Sequence, residues 1–185
     1  MKSEKEKCRS GELYDANHDP GLLSERSRCK RLCSEYNRRA PLCCEEADSI
    51  VRSLFGRTGE RFLIEPPFFC DYGYNIEIGE NFYANVNCVI LDGAEVRFGD
   101  NVFIGPNCSF YTAGHPLDAG QRRLGLEFAR PIAVGSDVWF GGNVVVLPGV
   151  TIGDRCVIGA GSVVTRDIPS DCLAFGNPCR VIRKL

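Results

Sequence analysis

The chain carries two histidines, and one of them has surroundings that suit proton transfer. That residue, His115, stands between a glycine and a proline. An imidazole has an ordinary pKa of about 6.5, so it can accept a proton from a hydroxyl near neutral pH. A turn histidine without a catalytic role is the alternative interpretation of this position. His18 lies beside Asp19 and Pro20, and we expect it to be a solvated turn residue.

Other common chemistries lack the residues that they need. Two histidines cannot supply the three ligands of a three-histidine zinc site. The chain also has no phosphate-binding P-loop and no dinucleotide-binding glycine fingerprint. The sequence therefore excludes a three-histidine zinc site and a nucleotide-binding loop, and His115 stays open between a turn residue and a proton acceptor.

The elements that must position His115 follow a six-residue repeat. From Val134 onward an apolar anchor recurs at every sixth position, and glycine follows most of these anchors. The anchors are Val134, Phe140, Val146, Ile152, Ile158 and Val164. A second column of mostly small residues runs four positions later, at Val138, Val144, Val150, Cys156, Ser162 and Ile168. Phe98 and Ile104 keep the same frame, whereas the stretch that begins at Ile78 is two residues out of phase.

A period of six fits neither a helix nor a single strand, so each unit is predicted to be a short strand followed by a turn. Glycine after the anchor permits a close backbone approach and a positive φ at the corner. Three units close one coil, and stacked coils bury the anchors as a continuous core. The predicted fold is an all-β solenoid, a parallel β-helix of hexapeptide repeats over roughly residues 76–170. The spacing leaves its hand open, because the right-handed rule for parallel crossovers comes from longer connections.

Eleven cysteines are many for this length, and their number is odd. None forms a C-x-x-C pair or has a histidine partner at zinc-site spacing. Cys88, Cys108 and Cys156 fall in the small column of the repeat, where a thiol is a compact apolar filler. We predict reduced, structural cysteines, with a metal or disulfide role as the alternative.

The repeat is interrupted between Phe110 and Val134. Positions in frame there hold Pro116, Arg122 and Phe128, and the stretch is rich in glycine and charge. A solenoid does not need this polar excursion for stability, and loops on a rigid scaffold are where function is usually placed. Residues 111–130, the excursion loop, are the predicted wall of an active site.

The N-terminal part reads differently from the repeat. Residues 21–37 have apolar side chains at three- and four-residue steps, which is typical of an amphipathic helix. A second helix is predicted to begin after Pro41, to bury Ile50, Val51 and Leu54, and to stop at Gly56. Residues 1–57 are therefore predicted to form a helical cap, and residues 58–185 the solenoid domain. Residues 60–75 are an expected extended lead-in, and the tail after residue 170 an irregular segment or a short strand.

Composition excludes several classes of protein. The chain has 185 residues, of which 44% are hydrophobic and 25% charged, as in ordinary globular domains. Its 22 basic and 24 acidic residues balance, so no nucleic-acid or membrane surface is indicated. No apolar run approaches the roughly 20 residues of a membrane span. The first residues alternate lysine and glutamate without an apolar segment after them. This pattern argues against a secretory signal and favours the cytoplasm.

Several segments together resemble the maltose and galactoside O-acetyltransferases, the sugar branch of the hexapeptide-repeat acyltransferases. They are Ser10-Gly11-Glu12-Leu13-Tyr14, Glu35-Tyr36-Asn37, Cys70-Asp71-Tyr72-Gly73-Tyr74-Asn75, Tyr111-Thr112-Ala113 with His115-Pro116, Pro148-Gly149-Val150-Thr151-Ile152-Gly153 and Gly176-Asn177-Pro178. The resemblance covers essentially the whole chain, including the cap. Hexapeptides alone would indicate only the superfamily, whereas the cap, the Asp71 segment and the His115 loop narrow it to the sugar branch.

The resemblance implies left-handed coils and transfer of an acetyl group from acetyl-CoA to a sugar hydroxyl. It implies that His115 is the general base and that Asn85 holds the acceptor or stabilises developing oxyanion charge. No serine or cysteine matches a covalent nucleophile, so direct transfer in a ternary complex is favoured. No metal is expected to be required.

The acceptor pocket implied by the resemblance contains Asp71, with Tyr83, Asp92 and Glu127 as further candidates. Glu127 is alternatively a residue that orients His115. A cap aspartate of the galactoside enzymes matches either Asp15 or Asn17, because an extra residue near His18 blurs the alignment. Gly93 replaces an acidic residue of the galactoside branch, which argues against a galactoside preference.

Coenzyme A contacts of the family fall on seven positions of this chain: Trp139, Gly142, Ala160, Thr165, Arg166, Arg180 and Arg183. Small residues would let the pantetheine arm lie along the coil, and the arginines of the tail would meet phosphates, although a basic C-terminus is also commonly solvated surface. The resemblance further implies a homotrimer with active sites between subunits. Trp139, Phe140 and the excursion loop are the expected seam.

Two other classes of function remain as alternatives. A serine or antibiotic acetyltransferase would share the histidine chemistry and CoA but would lack this helical cap. A non-catalytic solenoid would not need the His115 loop and should show a flat threonine column, which this sequence does not have.

Overall fold

The structure, a computed structural model, describes residues 2–40 and 44–185, with the backbone alone at residue 44. Parallel strands form the three sides of a solenoid. Side I contains β4 (Ile76–Ile78), β7 (Val96–Phe98), β12 (Ile132–Val134) and β15 (Thr151–Ile152). Side II contains β2 (Phe62–Ile64), β5 (Phe82–Ala84), β8 (Phe103–Ile104), β13 (Trp139–Phe140), β16 (Val157–Ile158) and β18 (Cys172–Gly176). Side III contains β3 (Phe68–Cys70), β6 (Cys88–Leu91), β9 (Ser109–Tyr111), β14 (Val145–Val146) and β17 (Val163–Val164).

The strands stack into about six coils, which confirms the predicted parallel β-helix. The solenoid is longer at both ends than the predicted range of residues 76–170. In the expected lead-in, β2 and β3 already pair in parallel with β5 and β6 and form the first coil. In the tail, β18 continues side II and forms an antiparallel hairpin with β19 (Cys179–Lys184).

The core is the predicted anchor column. Phe82, Phe98, Phe110 and Phe140 contact one another in series, with ring centroids 5.2, 5.0 and 5.3 Å apart. Cys88, Cys108 and Cys156 are fully buried in the solenoid, where they fill space as expected. Phe140 was expected at a subunit seam, and this expectation is wrong, because its side chain is 0% exposed inside the coil.

Glycine after the anchor serves close approach, and the expectation of a positive φ at these positions is wrong. A Cβ atom on Gly141 would lie 2.6 Å from the backbone nitrogen of Ala160 in the next coil, which no side chain tolerates. The left-handed residues fall two positions later and are mostly asparagine, as at Asn81, Asn101 and Asn143. Their side chains stack between coils: the amide of Asn81 donates to the Oδ1 of Asn101 at 2.9 Å.

The cap packs on the first coil. Its helices are α1 (Glu4–Arg9), α2 (Pro20–Arg39) and α3 (Cys44–Leu54), of which α1 was not predicted. Val51 and Leu54 are buried as predicted, whereas Ile50 is half-buried. Asn37 of α2 donates to the carbonyl of Phe68 at 3.0 Å and accepts from its N–H at 2.7 Å, which satisfies the open edge of β3. Within the described residues, no helix is long and apolar enough to cross a membrane.

The excursion loop is folded rather than open. It contains β10 (Ala113–Gly114), α4 (Ala119–Arg123) and β11 (Leu126–Ala129). The strand β11 pairs antiparallel with β10 and also with β1 (Tyr14–Asp15) of the N-terminal segment. The N-terminal segment and the excursion loop therefore form one small sheet beside side III.

Candidate active site

Side III has two edges, and the predicted site residues divide between them. The leading edge is the corner where side II strands end and side III strands begin, at Asn85, Gly105, Gly141 and Gly159. The trailing edge lies just beyond the last residues of the side III strands, at Asp71, Asp92, Thr112 and Thr165. The excursion loop leaves the solenoid from the trailing edge.

His115 is held in one orientation at the trailing edge. Its Nδ1 lies 3.0 Å from the carbonyl oxygen of Leu126, the first residue of β11. A carbonyl oxygen can only accept, so Nδ1 carries the proton and donates. The Nε2 atom of the neutral ring is then the basic nitrogen. The side chain is 48% exposed, so this nitrogen is accessible to a substrate hydroxyl.

Glu127 lies behind His115. Its Oε1 is 3.9 Å from Nε2 of the imidazole, and its side chain is only 15% exposed. The hydroxyl of Tyr14 donates to Oε2 at 3.3 Å, and the amide of Asn17 donates to Oε1 at 3.3 Å. Asn17 also donates to the carbonyl oxygen of Gly125 at 2.8 Å. The N-terminal segment thus positions the carboxylate that faces the imidazole.

Asp92 is buried directly beneath this region. Its Oδ1 accepts backbone N–H groups of Asp71 at 2.9 Å and Tyr72 at 2.8 Å. Its Oδ2 is buried and has no hydrogen-bond partner among the described residues. Burial raises the pKa of Asp92 to about 7, against the lowering effect of the two N–H donors. The carboxyl is therefore a structural support under Asp71, with one oxygen atom unpaired.

Asp71 follows β3 and is half-buried. Burial raises the pKa of its carboxyl, and the neighbouring Glu127 adds to the rise, while Arg26 and Lys30 of α2 oppose it. Asp71 also lines a cleft of about 590 Å³ between α2 and side III, together with Lys30, Asn37 and the exposed ring of Phe69. The structure thus brings His115, Glu127, Asp71 and Asp92 to the trailing edge.

Asn85 and Tyr83 lie elsewhere. Asn85 occupies the position that glycine holds in the later coils, and its backbone N–H donates to Ile104 as Gly105 donates to Phe140. Its side-chain Oδ1 accepts the N–H of Val86 at 2.8 Å. From Asn85 the chain advances six residues along side III to Leu91, a distance of up to about 20 Å. Within one chain, Asn85 and the segment that leads to His115 therefore lie at opposite edges of side III.

The residues matched to coenzyme A fall mainly on the leading edge and side II. Gly142 and Ala160 stack at the leading edge, two coils and three coils after Asn85. Trp139 projects from side II with 56% of its surface exposed, beside Phe103 in the register. Arg180 and Arg183 are exposed on β19, which extends side II. Thr165 and Arg166 follow β17 at the trailing edge.

Sequence reasoning missed parts of the trailing edge. Tyr14 and the pairing of β1 with β11 were not predicted, because a two-residue strand carries no periodic signal. Asn17 was considered only as an acceptor contact, and the structure shows it bound to Glu127. Thr112 closes the edge by donating to Leu91 O at 2.6 Å and accepting from Ala94 N at 2.9 Å.

Comparisons with known proteins agree with this architecture. The family described as "Maltose acetyltransferase hexapeptide capping motif" matches residues 7–59. The family described as "Bacterial transferase hexapeptide (six repeats)" matches residues 131–166. The galactoside O-acetyltransferase of Escherichia coli is 46% identical over 180 residues, which are 97% of this chain and 88% of that protein.

Two solved structures extend the likeness to the whole chain. A maltose O-acetyltransferase from Clostridium difficile has a TM-score of 0.97 and 49% identity, covering 100% of this chain and 98% of that one. A hexapeptide-repeat acetyltransferase from Vibrio cholerae, complexed with acetyl-CoA, has a TM-score of 0.91 and 43% identity, covering 100% and 99%. The chain therefore belongs to the hexapeptide-repeat acetyltransferases with the maltose acetyltransferase cap, and it is an acetyl-CoA-dependent acetyltransferase.

Proposed function

We propose that the protein transfers an acetyl group from acetyl-CoA to a hydroxyl of a mono- or disaccharide, with His115 as general base. The observation that carries this proposal is the hydrogen bond from Nδ1 of His115 to the carbonyl of Leu126, which leaves Nε2 basic on a half-exposed side chain. A sugar hydroxyl is a poor nucleophile near neutral pH, so it needs such a base. The reaction proceeds in one ternary complex.

The steps balance with the groups at hand. The acceptor oxygen attacks the carbonyl carbon of the acetyl thioester while its proton passes to Nε2 of His115. The C–S bond then breaks, and the departing sulfur of coenzyme A takes that proton from the imidazolium. Glu127, 3.9 Å from Nε2, is the positioning residue that stabilises the imidazolium between the two steps.

The acceptor side is polar in the way that sugar hydroxyls need. Glu127 offers a carboxylate oxygen 3.9 Å from the imidazole, and the carboxyl of Asp71 lies near enough to Glu127 for that charge to help raise its pKa. Vicinal hydroxyls bind such oxygens in pairs. Phe69 gives the adjoining cleft an apolar face against which a sugar ring fits. The relatives named for maltose and galactoside acetylation support the same class of acceptor. We assign Asp71 to acceptor binding, with Tyr83 completing the pocket, and Asp92 to its support.

The site is completed by a second copy of the chain. Asn85, Gly142 and Ala160 share the leading edge, whereas His115 lies across side III at the trailing edge. A trimer with cyclic symmetry would place the leading edge of one subunit against the trailing edge of the next. Tyr83, Phe103 and Trp139 form an outward column on side II, of which the last two are exposed. Burial of this apolar column in a subunit interface is more favourable than its exposure to water.

In this arrangement acetyl-CoA lies along the leading edge of one subunit. The small residues Gly142 and Ala160 leave room for the pantetheine arm, Trp139 flanks it, and Arg180 and Arg183 meet the phosphates. Thr165 and Arg166 contact acetyl-CoA from the trailing edge of the neighbouring subunit. Asn85 lies on the same edge as the pantetheine arm, nearer the cap, and stabilises the developing oxyanion. Dependence on acetyl-CoA and reduced cysteines both fit a cytoplasmic enzyme.

The test is a panel assay of thiol release from acetyl-CoA. The acceptors are maltose, glucose, galactosides, serine and chloramphenicol, each with the wild-type chain and with Asp71→Asn. We expect turnover with maltose or glucose, and an Asp71→Asn variant whose KM for the sugar rises while its KM for acetyl-CoA stays constant. Turnover with serine or chloramphenicol alone would replace the sugar proposal by the second acetyltransferase class.

A further inference from the structure

Three cysteine sulfurs meet at the junction of cap and solenoid. Cys29 and Cys33 lie one turn apart on the same face of α2, and Cys70 ends β3 beneath them. The Sγ of Cys70 is 3.4 Å from that of Cys29 and 3.7 Å from that of Cys33. All three sulfurs lie within 4.8 Å of one another, and all three side chains are buried.

Other buried cysteines of the described chain are arranged differently. Cys108 and Cys156 direct their sulfurs to backbone carbonyls, at 3.2 Å from Gly141 O and 3.2 Å from Pro169 O. They pack one per coil as apolar filler. The three sulfurs at the junction also contact one another, although the Sγ of Cys29 donates to the carbonyl oxygen of Cys70 at 3.4 Å as well. No other group of three potential metal ligands occurs among the described residues.

This geometry fits a thiophilic metal ion. With metal–sulfur bonds of about 2.3 Å, two thiolates on one ion are about 3.8 Å apart in a tetrahedral site and about 4.0 Å apart in a trigonal one. The observed separations of 3.4 and 3.7 Å are about 0.4 and 0.1 Å below the tetrahedral value and about 0.6 and 0.3 Å below the trigonal one. The sulfurs of Cys29 and Cys33 lie within 4.8 Å of each other. Rotations about the Cα–Cβ bonds accommodate these differences. The prediction of no metal site relied on spacing within one segment, whereas these ligands come from a helix turn and a distant strand.

We propose that Cys29, Cys33 and Cys70 bind one d¹⁰ thiophilic ion per chain, Cu(I) or Zn(II), and that this ion links α2 to the first coil. Soft thiolate ligands select these ions. Cu(I) is satisfied by three thiolates, whereas Zn(II) would add a water as fourth ligand. The cleft lined by Cys33 and Cys70 gives that water access. Each thiol releases its proton to solvent as the ion binds.

The site is structural rather than catalytic. The three sulfurs lie under the cap, and none of them contacts His115 or Glu127 in the described chain. Metal binding should therefore raise the thermal stability of the cap without supplying a step of acetyl transfer, because an ion that binds only the folded state stabilises it.

The experiment adds Cu(I) or Zn(II), in separate arms, to the reduced full-length protein without oxygen and against a competing chelator. We expect one equivalent of metal per chain after gel filtration, a sulfur-to-metal absorption band in the Cu(I) arm, and a raised Tm. Cys29→Ser, Cys33→Ser and Cys70→Ser should each weaken binding by at least about 10- to 100-fold. Cys108→Ser, which keeps a donor for Gly141, is the matched control and should bind like wild type.

Two results would overturn the proposal. One is failure of both ions to bind the wild-type chain in competition with the chelator. The other is equal uptake by wild type and by the triple serine variant, which would place the metal elsewhere. If the variants fold poorly, X-ray absorption spectroscopy of the metal-loaded wild-type protein tests the proposal by itself. It must show three sulfur neighbours at about 2.2–2.3 Å, and fewer than three rejects the site.

Discussion

The two edges of side III are built in opposite ways. The leading edge is made by the repeat itself, coil after coil, with a glycine at the same corner and Asn85 in one glycine position. The trailing edge is made by departures from the repeat: the excursion loop, the β1 pairing, and a buried aspartate with an unpaired oxygen. The regular edge suits an extended ligand such as a pantetheine arm, and the irregular edge carries the groups that we propose to move protons. Each edge holds half of the proposed site.

The largest expected effect is at the trailing edge. His115→Ala removes the base, so kcat should fall by about 10²- to 10⁴-fold while acetyl-CoA binding stays nearly unchanged. Steady-state kinetics and a direct measurement of the acetyl-CoA Kd check this. His18→Ala is the matched control on the other histidine. Activity of the His115 variant within tenfold of wild type would remove this residue from the mechanism.

The second-largest loss of activity is expected from a substitution at the leading edge. Asn85→Ala removes a proposed oxyanion donor, and we expect kcat to fall by about 10- to 100-fold, with less change in the KM for acetyl-CoA. Val86→Ala, at the adjacent exposed position, should stay near wild type. An effect confined to the KM for acetyl-CoA would reassign Asn85 from the reacting centre to the binding of the pantetheine arm.

We expect a smaller loss of kcat from a change at Glu127, which lies behind the imidazole of His115. Glu127→Gln keeps the size of the side chain and an oxygen for the amide of Asn17, but it removes the charge that faces the imidazole. We expect kcat to fall about tenfold with the KM for acetyl-CoA and the Tm unchanged. Glu95→Gln, on a glutamate paired with Arg97 on side I, serves as control. An unchanged kcat, or a loss of kcat only in step with a fallen Tm, would reject the positioning role.

The smallest effect concerns stability. The pKa of Asp92 is raised from 3.8 to about 7 by burial. The folded state then holds a proton that the unfolded state releases, so the stability contributed by the neutral carboxyl is lost as pH rises from about 4 to about 7. Asp92→Asn stays neutral, and it should gain stability relative to wild type over this range, by on the order of a few kcal/mol at most. Urea unfolding of both proteins at several pH values measures this, and parallel pH curves would contradict it.

The anchors and the break in the repeat were predictable from sequence because each coil repeats the same demand for an apolar side chain and a glycine. Despite the two-residue phase shift near Ile78, β4 pairs in register with β7. The role of glycine was predicted only in part. Close packing of coils requires it at Gly141, whereas the left-handed turn falls on the asparagine two positions later.

Contacts between distant segments could not be predicted from the sequence. The binding of Glu127 by Tyr14 and Asn17 joins residues more than 100 positions apart, and no local pattern encodes it. Phe140 was assigned both to the buried anchor column and to the subunit seam, and the burial of its side chain rules out the seam. Alternate residues of a strand face opposite sides, so Phe140 points inward where Trp139 points outward. The family resemblance named the candidate site residues, and the structure added that they divide between two edges.

The central claim is that one site needs both edges from two chains, and mixing inactive variants tests it most directly. His115→Ala and Ala160→Trp are unfolded, combined in equal amounts and refolded, and activity is compared with each variant refolded alone. In randomly mixed trimers about a quarter of the interfaces should join an intact trailing edge to an intact leading edge. Activity should return toward that fraction of wild type. No recovery in confirmed mixed trimers, or a monomeric mass by light scattering, would contradict the shared site.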